Sequence, residues 1–284
     1  MKTVLETITS GAGFLEKKGV EDGRLSMEHL LAKVLGCERL ELYMQFDRPL
    51  TEPELVDLRA LTLRRAAREP LQYLLGDAEF HGRLFKVDPS VLIPRPETED
   101  LVLILLECYE DEAPATVLDL GTGSGAIGLT LALEWPEAQV ALGDVSAHAL
   151  VVARENATSL EVADDRIEFV ETNLLSALQG RTFDLIVANL PYVAGEDMAG
   201  LQAEVLQEPR LALDGGPGGR ALMENLLLAA RSALNPGGLI ALEHGLNQSE
   251  KLLAYAASVG LEDGEAIADS FEIPRFLLAR APGD

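Results

Sequence analysis

Apolar residues recur every three or four positions through the first part of the chain. This spacing is seen in three stretches, Val4–Leu15, Leu30–Leu35 and Leu55–Leu61. Such spacing places apolar side chains on one face of a helix. Because no strand-like alternation interrupts these stretches, we predict a small helical domain over residues 1–70.

The pattern changes after residue 70. Gly76, Gly82 and Pro89 separate short apolar runs such as Leu84–Val87. Short apolar runs bounded by glycine and proline are typical of strands joined by tight turns. We therefore predict a β-hairpin connector over residues 71–95.

From residue 96 onward, short apolar runs alternate with helical patterns. The predicted strands are Thr116–Leu120, Gln139–Gly143, Ile167–Val170, Leu185–Ala188 and Leu239–Glu243, and two of the predicted helices are Ala126–Trp135 and Ala147–Asn156. Strands that alternate with helices form crossover units around a largely parallel sheet. The predicted fold class is α/β, with a doubly wound, mostly parallel sheet in a domain over residues 96–284.

Composition and charge narrow the class of protein. The 284 residues are 48% hydrophobic and 25% charged, as in an ordinary globular protein. With 23 basic and 47 acidic residues the net charge is −24. A surface this acidic repels phosphate backbones, so we expect no stable nucleic-acid partner.

Other features suggest a protein of a reducing compartment. Cys37 and Cys108 show no metal-binding or disulfide spacing. The most apolar run, Leu101–Cys108, is too short to cross a bilayer, and the first residues lack a secretory core. The four histidines are too scattered for a readable metal site. We expect a cytoplasmic monomer with no membrane association and no metal.

A glycine-rich turn follows the strand that contains Asp119. The turn consists of Gly121, Thr122, Gly123, Ser124 and Gly125, and a predicted helix begins directly after it. Such turns at the carboxyl end of a strand bind nucleotide-like ligands, and an acidic residue at the end of the next strand, here Asp144, binds ribose hydroxyls. The pattern fits NAD or S-adenosylmethionine. A carboxylate before the glycines favours S-adenosylmethionine, because its ammonium group needs a counter-charge.

A second turn follows the strand Leu185–Ala188. It consists of Asn189, Leu190, Pro191 and Tyr192. The Asn189 side chain and the Leu190 carbonyl offer two hydrogen-bond acceptors, and Tyr192 offers a flat face. Two acceptors that converge on one point suit an NH2 group. We therefore predict methylation of a planar, weakly nucleophilic nitrogen, with Asn189, Pro191 and Tyr192 as catalytic residues and all four residues as the substrate site.

Together these turns resemble the class I S-adenosylmethionine methyltransferases that modify amide or exocyclic nitrogens. More narrowly, the chain resembles the bacterial release-factor glutamine methyltransferases of the PrmC/HemK type. The resemblance covers nearly the whole chain, through the segments 68–76, 92–99, 119–128, 189–192, 208–209, 213–219 and 242–245. The Ile-Pro-Arg-Pro-Glu-Thr-Glu block at 93–99 is the most specific, since a close relative that modifies a ribosomal protein differs after the arginine.

The resemblance implies an activity and roles for individual residues. It implies transfer of a methyl group to the side-chain nitrogen N5 of the glutamine in a Gly-Gly-Gln motif of a class 1 peptide chain release factor, which would bind with help from the helical domain. The cofactor S-adenosyl-L-methionine would contact Asp119, the glycine turn, Asp144 and Asn189, with its adenine beside Asn173 and Leu174.

This sequence departs from the usual family pattern at a few positions. Leu190 stands where the family has a first proline, Asn173 where an aspartate is common, and His244 where an apolar residue is usual. Pro191 still restrains residue 190, so we expect activity to persist.

Two other substrates remain as alternatives. One is a glutamine of a ribosomal protein. The other is a base amine of a nucleic acid, because an Asn-x-Pro-Tyr turn serves base amines equally well. An enzyme of the latter class must extrude the base and bind the backbone, which the charge of −24 opposes. A non-catalytic dinucleotide- or adenosine-binding module with an interaction role is a further interpretation, and the intact Asn189 turn argues against it.

Overall fold

A computed structural model describes residues 2–283 and divides the chain into two compact units. One unit comprises the residues up to Asp77 together with Gln202–Gln207. The other comprises Ala78–Leu201 and the residues from Glu208 onward. These limits differ from the domain limits that the sequence predicted.

The first unit is helical. Its helices are α1 (Val4–Lys17), α2 (Gly23–Leu35), α3 (Glu52–Ala66) and α4 (Leu71–Leu75). Thr3 and Glu6 form a reciprocal capping box that starts α1, and Gly36 ends α2 in the left-handed conformation with φ of 64°. Ile8, Leu30 and Leu58 pack into one apolar core.

The segment 71–95 is not hairpin throughout. Its first residues, Leu71–Leu75, form α4, and Leu74 is buried in the core of the first unit. The hairpin itself consists of β1 (Asp77–Phe80) and β2 (Arg83–Lys86). Between them His81 and Gly82 both have positive φ, 49° and 69°, as a two-residue type I′ turn requires.

The second unit contains a seven-stranded sheet. The strands are β3 (Thr116–Leu120), β4 (Gln139–Asp144), β5 (Ile167–Glu171), β6 (Phe183–Asn189), β7 (Leu234–Glu243), β8 (Glu262–Ala268) and β9 (Pro274–Arg280). Their order across the sheet is β5-β4-β3-β6-β7-β9-β8. The first five are parallel, and β9 is antiparallel to both of its neighbours. The predicted doubly wound, mostly parallel α/β fold is confirmed.

Helices cover both faces of this sheet. They are α5 (Pro96–Cys108), α6 (Ala126–Glu134), α7 (Ala147–Ser159), α8 (Ala221–Ala233) and α9 (Ser249–Ser258). Alternate residues of one strand join different cores: Val187 packs with α5 and α6, whereas Ile186 packs with α8 and α9. Period-two alternation with both faces buried explains why the parallel strands read as continuous apolar runs.

The strand order brings the two sequence turns to one edge. β3 lies between β4 and β6, and all three are parallel. The chain continues from β3 to one side of the sheet and later returns to the other side at β6. This is the switch point at which open α/β sheets leave a crevice.

Two strands were not predicted. β8 is largely exposed along its length, and β9 runs antiparallel beside β7. Among residues 2–283, no helix combines the length and the apolar character needed to cross a membrane.

Candidate functional site

The glycine turn after β3 is tightly folded against β4. Gly121, Gly123 and Gly125 have φ values of 69°, 55° and 84°, which L side chains rarely adopt. The amides of Gly121 and Thr122 both donate to the carbonyl of Gly143, at 2.8 and 3.1 Å. A Cβ atom on Gly121 would lie 3.0 Å from Leu190 Cδ2, so this glycine also permits close approach to the second turn.

Asp119 supports the glycine turn from behind. It is 1% exposed, and its Oδ2 accepts hydrogen bonds from Thr122 Oγ1 at 2.6 Å and from the Gly128 amide at 2.9 Å. Its Oδ1 is buried and has no hydrogen-bond partner among residues 2–283, and burial raises the pKa of this carboxyl to about 6. Asp119 does not line the cavity described below.

Asp144 ends β4 and faces the cavity. Its Oδ1 accepts from the Ser146 amide at 2.8 Å, and its Oδ2 accepts from the Gly123 amide at 2.9 Å. Burial raises the pKa of Asp144, and these amide hydrogen bonds oppose that shift. A carboxylate has about four lone-pair sites, so Asp144 keeps acceptor capacity for a diol.

A cavity of about 350 Å³ lies at the carboxyl edge of the sheet. Such a volume is typical of small-molecule sites. Most of the predicted site residues line it: Gly121, Thr122, Gly123, Ser124, Asp144, Asn173, Leu174, Asn189, Leu190 and Pro191. Asp119, Gly125 and Tyr192 do not line it. The cavity therefore joins the two turns that the sequence singled out separately.

One wall is formed by the turn after β5. Leu174 has a positive φ of 50°, an uncommon conformation for a bulky residue. Thr172 holds this turn: its hydroxyl donates to the Leu174 carbonyl at 2.8 Å and accepts from the Ala177 amide at 3.1 Å. The carbonyl of Asp144 accepts from the Thr172 amide at 2.8 Å, which links this wall to β4.

Asn189 ends β6, and its side-chain amide has a definite partner. Its Nδ2 donates to Thr98 Oγ1 at 3.2 Å, and Thr98 Oγ1 donates to Glu243 Oε2 at 2.7 Å. Across residues 2–283, no donor hydrogen-bonds to Asn189 Oδ1 or to the carbonyl of Leu190. These are the two acceptors that the sequence predicted.

Tyr192 is anchored on the side away from the cavity. Its hydroxyl donates to Glu243 Oε1 at 3.3 Å, and its carbonyl accepts from Gln248 Nε2 at 3.0 Å. Burial raises the pKa of the Tyr192 phenol. A Cβ atom on Gly219 would lie only 2.2 Å from the Tyr192 carbonyl oxygen, so this glycine allows the backbone to pass.

Sequence reasoning missed several residues of the site. Thr98 lines the cavity, and Glu243, which is 1% exposed, accepts a hydrogen bond from it. The sequence pattern assigned a role to neither residue. Glu208 was also missed; it accepts from the Ile93 amide at 3.0 Å and from Arg95 at 2.5 Å. The available signal was that all three residues lie in segments on which the family resemblance rested.

His244 is a structural residue. It is fully buried, its Nδ1 lies 2.9 Å from the Gly245 carbonyl, and its Nε2 lies 3.2 Å from Ser249 Oγ. A carbonyl only accepts, so Nδ1 carries the proton and Nε2 accepts from the hydroxyl. Burial lowers the pKa of His244, in keeping with this neutral form.

Known families match both parts of the chain. Residues 6–76 match the PrmC N-terminal domain, and residues 102–223 match the methyltransferase small domain. The release factor glutamine methyltransferase of Geobacter sulfurreducens is 42% identical over 98% of this chain and 96% of its own length. That of Chlorobaculum tepidum is 44% identical over 85% of each chain. The chain belongs to the release factor glutamine methyltransferase family.

Membership in this family confirms the resemblance found in the sequence, the assignment as a methyltransferase and S-adenosylmethionine as the cofactor. Solved structures add support for the fold alone. A methyltransferase from Pyrococcus furiosus is 18% identical, with a TM-score of 0.54 over 80% of this chain and 98% of its own. The T. thermophilus 16S rRNA N2 G1207 methyltransferase has a TM-score of 0.51 at 20% identity, over 72% of this chain and 49% of its own.

The residues of the cavity fit this cofactor. Bare backbone at Gly121 and Gly123 leaves space that a side chain would fill or narrow, and Asp144 presents a carboxylate to the same space. The Leu174 turn adds an apolar surface for a flat ring. In this methyltransferase, one cavity thus offers a polar end for hydroxyls, an open backbone cradle and an apolar wall.

Proposed function

We propose that this protein transfers the methyl group of S-adenosylmethionine to N5 of the glutamine in the Gly-Gly-Gln motif of a class 1 peptide chain release factor. The observation that carries the proposal is a pair of acceptors without a donor among residues 2–283, Asn189 Oδ1 and the Leu190 carbonyl, on two residues that line the cavity. Relatives that match almost the whole chain bear the name of this activity.

The two acceptors suit a primary amide. An amide lone pair is delocalised, so the nitrogen must lose planarity as it forms a bond to carbon. Hydrogen bonds from its two protons to Asn189 Oδ1 and the Leu190 carbonyl favour the positive charge that develops on the nitrogen. The same contacts fix the direction of the lone pair, which supplies an orientational advantage.

The methyl donor contributes one property: when bound, S-adenosylmethionine carries a methyl group on a positively charged sulfur. The protein residues need not remove a proton beforehand, because an amide nitrogen carries a lone pair in its neutral form. After transfer the nitrogen loses one proton to water. Asn189, Leu190 and Pro191 therefore bind and orient the amide without acting as bases.

We propose separate roles for the residues of the cofactor half. Asp144 binds the ribose hydroxyls, Asn173 and Leu174 border the adenine, and the glycine turn 121–125 accommodates the amino-acid part. Asp119 acts through the turn rather than by direct contact, since it lies behind the cavity lining. Tyr192 stabilises the acceptor turn, residues 189–192, through its hydrogen bond to Glu243.

Other substrates are less well supported. A base amine would fit the same acceptors, but a nucleic-acid substrate meets a net charge of −24. A ribosomal-protein glutamine has no support from the relatives' names. We further propose a cytoplasmic monomer, and the free state of Cys37 and Cys108 is in keeping with a reducing compartment.

The proposal is tested by offering competing substrates together. Purified protein and S-adenosylmethionine labelled in the methyl group are incubated with a class 1 release factor, a ribosomal protein extract and a single-stranded oligonucleotide. We expect label in the release factor alone. Label in the oligonucleotide or in a ribosomal protein, with the release factor unlabelled, would overturn the substrate assignment.

A further inference from the structure

Three side chains from distant parts of the sequence form a chain of hydrogen bonds behind the acceptor turn. Asn189 Nδ2 donates to Thr98 Oγ1, which donates to Glu243 Oε2. Asn189 and Glu243 are paired in register on the neighbouring parallel strands β6 and β7. Thr98 lies in the first turn of α5, and both Thr98 and Glu243 are buried.

The chemistry of these groups allows the hydrogen bonds to run in one direction only, from Asn189 through Thr98 to Glu243. A carboxylate only accepts hydrogen bonds. Glu243 accepts the hydroxyl protons of Thr98 and Tyr192 on its two oxygens. Burial raises the pKa of Glu243, and these two hydrogen bonds and the charge of Arg275 oppose that shift. Since the single hydroxyl proton of Thr98 points to Glu243, its oxygen is left to accept. Of the two ends of the Asn189 amide, the NH2 group is the one that can donate to the Thr98 oxygen.

This direction decides which end of the Asn189 amide faces the substrate. An asparagine amide can rotate by half a turn, which exchanges its oxygen and its nitrogen. With the nitrogen held by Thr98, Oδ1 is the end left for the substrate. In the reversed orientation an NH2 group would face the NH2 group of the substrate glutamine, and two donors repel.

We propose that Thr98 and Glu243 are positioning residues that lock the side-chain amide of Asn189 with its oxygen toward the substrate nitrogen. The proposal deepens the proposed function and rests on it for the identity of the substrate. The orientation of Asn189 in the free protein, however, follows from the hydrogen bonds alone. It can be measured without any substrate or methyl donor.

The first test removes only the Thr98 hydroxyl, which connects Asn189 to Glu243. Thr98→Val keeps the branched shape, and Thr98→Ser restores the hydroxyl. With a release factor as substrate, we expect kcat to fall about 10-fold or more in Thr98→Val, at a nearly unchanged KM and cofactor affinity, and to recover most of this loss in Thr98→Ser. Equal losses in both variants would indicate a packing role and would overturn the proposal.

A matched control is available in α6. Thr130 is fully buried, and its hydroxyl has no hydrogen-bond partner within the part of the chain that the structure describes. Thr130→Val therefore makes the same chemical change without breaking a hydrogen bond. We expect it to leave kcat as in the wild type, and an equal fall in Thr130→Val and Thr98→Val would contradict the proposal.

The second test measures whether the NH2 group of Asn189 is held in the hydrogen bond to Thr98. The side-chain amide of Asn189 is observed by NMR in nitrogen-15-labelled protein and assigned by its loss in Asn189→Ala. We expect its protons to exchange slowly with water in the wild type, Thr98→Ser and Thr130→Val, and clearly faster in Thr98→Val. Unchanged exchange in Thr98→Val would overturn the proposal that Thr98 holds the Asn189 amide. If the four proteins show the expected exchange rates but the wild type does not methylate a release factor, the proposed function alone is contradicted.

Discussion

The two turns at the edge of the sheet are built in different ways. The cofactor turn, residues 121–125, is nearly self-contained. Asp119, this turn and the start of α6 follow one another in the sequence, and most of their hydrogen bonds stay within residues 119–144. The acceptor turn is short, and residues far away in the sequence hold it. Its supports include Thr98, Gly219 and Glu243.

This contrast explains how much of each half of the site can be predicted from a sequence. A self-contained turn requires glycines and carboxylates at fixed spacing, and such spacing is visible locally. A turn held from a distance shows only its own four residues. The contrast also predicts that remote substitutions will damage the acceptor turn more than the cofactor turn.

The largest effect is expected from a pair of glycine substitutions, one for each turn. In Gly219→Ala the new Cβ would lie 2.2 Å from the Tyr192 carbonyl oxygen and 2.8 Å from Gln248 Nε2. We expect it to lower the free energy of unfolding by about 3–5 kcal/mol, the range of strongly disruptive changes. In Gly123→Ala the nearest described atom to the new Cβ would be the Gly121 carbonyl oxygen at 4.0 Å, so this variant should lose only about 1–2 kcal/mol, for its left-handed backbone.

Urea unfolding of both variants measures this difference, and Gly13→Ala in α1 serves as control. Gly13 is helical, and a Cβ there would meet no atom of residues 2–283 within 4 Å, so Gly13→Ala should be neutral or slightly stabilising. If Gly123→Ala were as damaging as Gly219→Ala, the proposed contrast between the turns would be wrong.

The next effect concerns chemistry at the acceptor turn. Asn189→Ala removes one of the two amide acceptors, so we expect kcat to fall about 100-fold or more while cofactor affinity is retained. Turnover assays and calorimetry measure the two quantities separately. Asn225→Ala, an exposed asparagine on α8, is the control and should behave as wild type. Near-normal turnover in Asn189→Ala would refute its assigned role.

A pH effect is expected behind the cofactor turn. The pKa of Asp119 is raised to about 6, so between about pH 4 and 6 the folded protein binds more protons than the unfolded chain. Its contribution to stability is therefore present at low pH and is lost as the pH rises, by up to about 3 kcal/mol. Relative to wild type, Asp119→Asn should gain stability by this amount from pH 4 to pH 7 in urea unfolding. A constant difference between the two proteins would contradict the raised pKa.

The smallest effect is expected at the other carboxylate of the cofactor half. Asp144→Ala removes a charged hydrogen-bond acceptor worth about 1.5–3 kcal/mol, which raises the dissociation constant for S-adenosylmethionine about 10- to 150-fold. Calorimetry measures it, with the exposed Asp57→Ala on α3 as control. The ribose assignment fails if Asp144→Ala binds the cofactor as tightly as the wild type.

The sequence predicted the parallel strands and both turns because each is encoded locally. Leu185–Ala188 is a continuous apolar run, and Asp119 is the one polar residue within Val117–Leu120, as expected for strands that are covered on both faces. The edge strand β8 escaped because its exposed residues carry no alternation. The helix α4 escaped because five residues are too few to show helical spacing.

The supports of the acceptor turn lie beyond any local pattern. Thr98 reads as an ordinary residue in the first turn of a helix, and Glu243 as an acid at the end of an apolar strand. Their common function exists only after β6, β7 and α5 come together. Asp119 shows a related limit: its position before the glycines predicts a ligand contact, which stays a prediction, and its side chain does not line the cavity.

The central claim is that the Asn189 turn presents a glutamine amide to the methyl donor. The most direct measurement incubates the wild-type protein and S-adenosylmethionine with a release factor that carries Gly-Gly-Gln, and with one in which that glutamine is alanine, followed by peptide mapping by mass spectrometry. We predict one added methyl group on the glutamine side chain of the first factor and none on the second. Equal methylation of both factors, or a methyl group on another residue, would contradict the account.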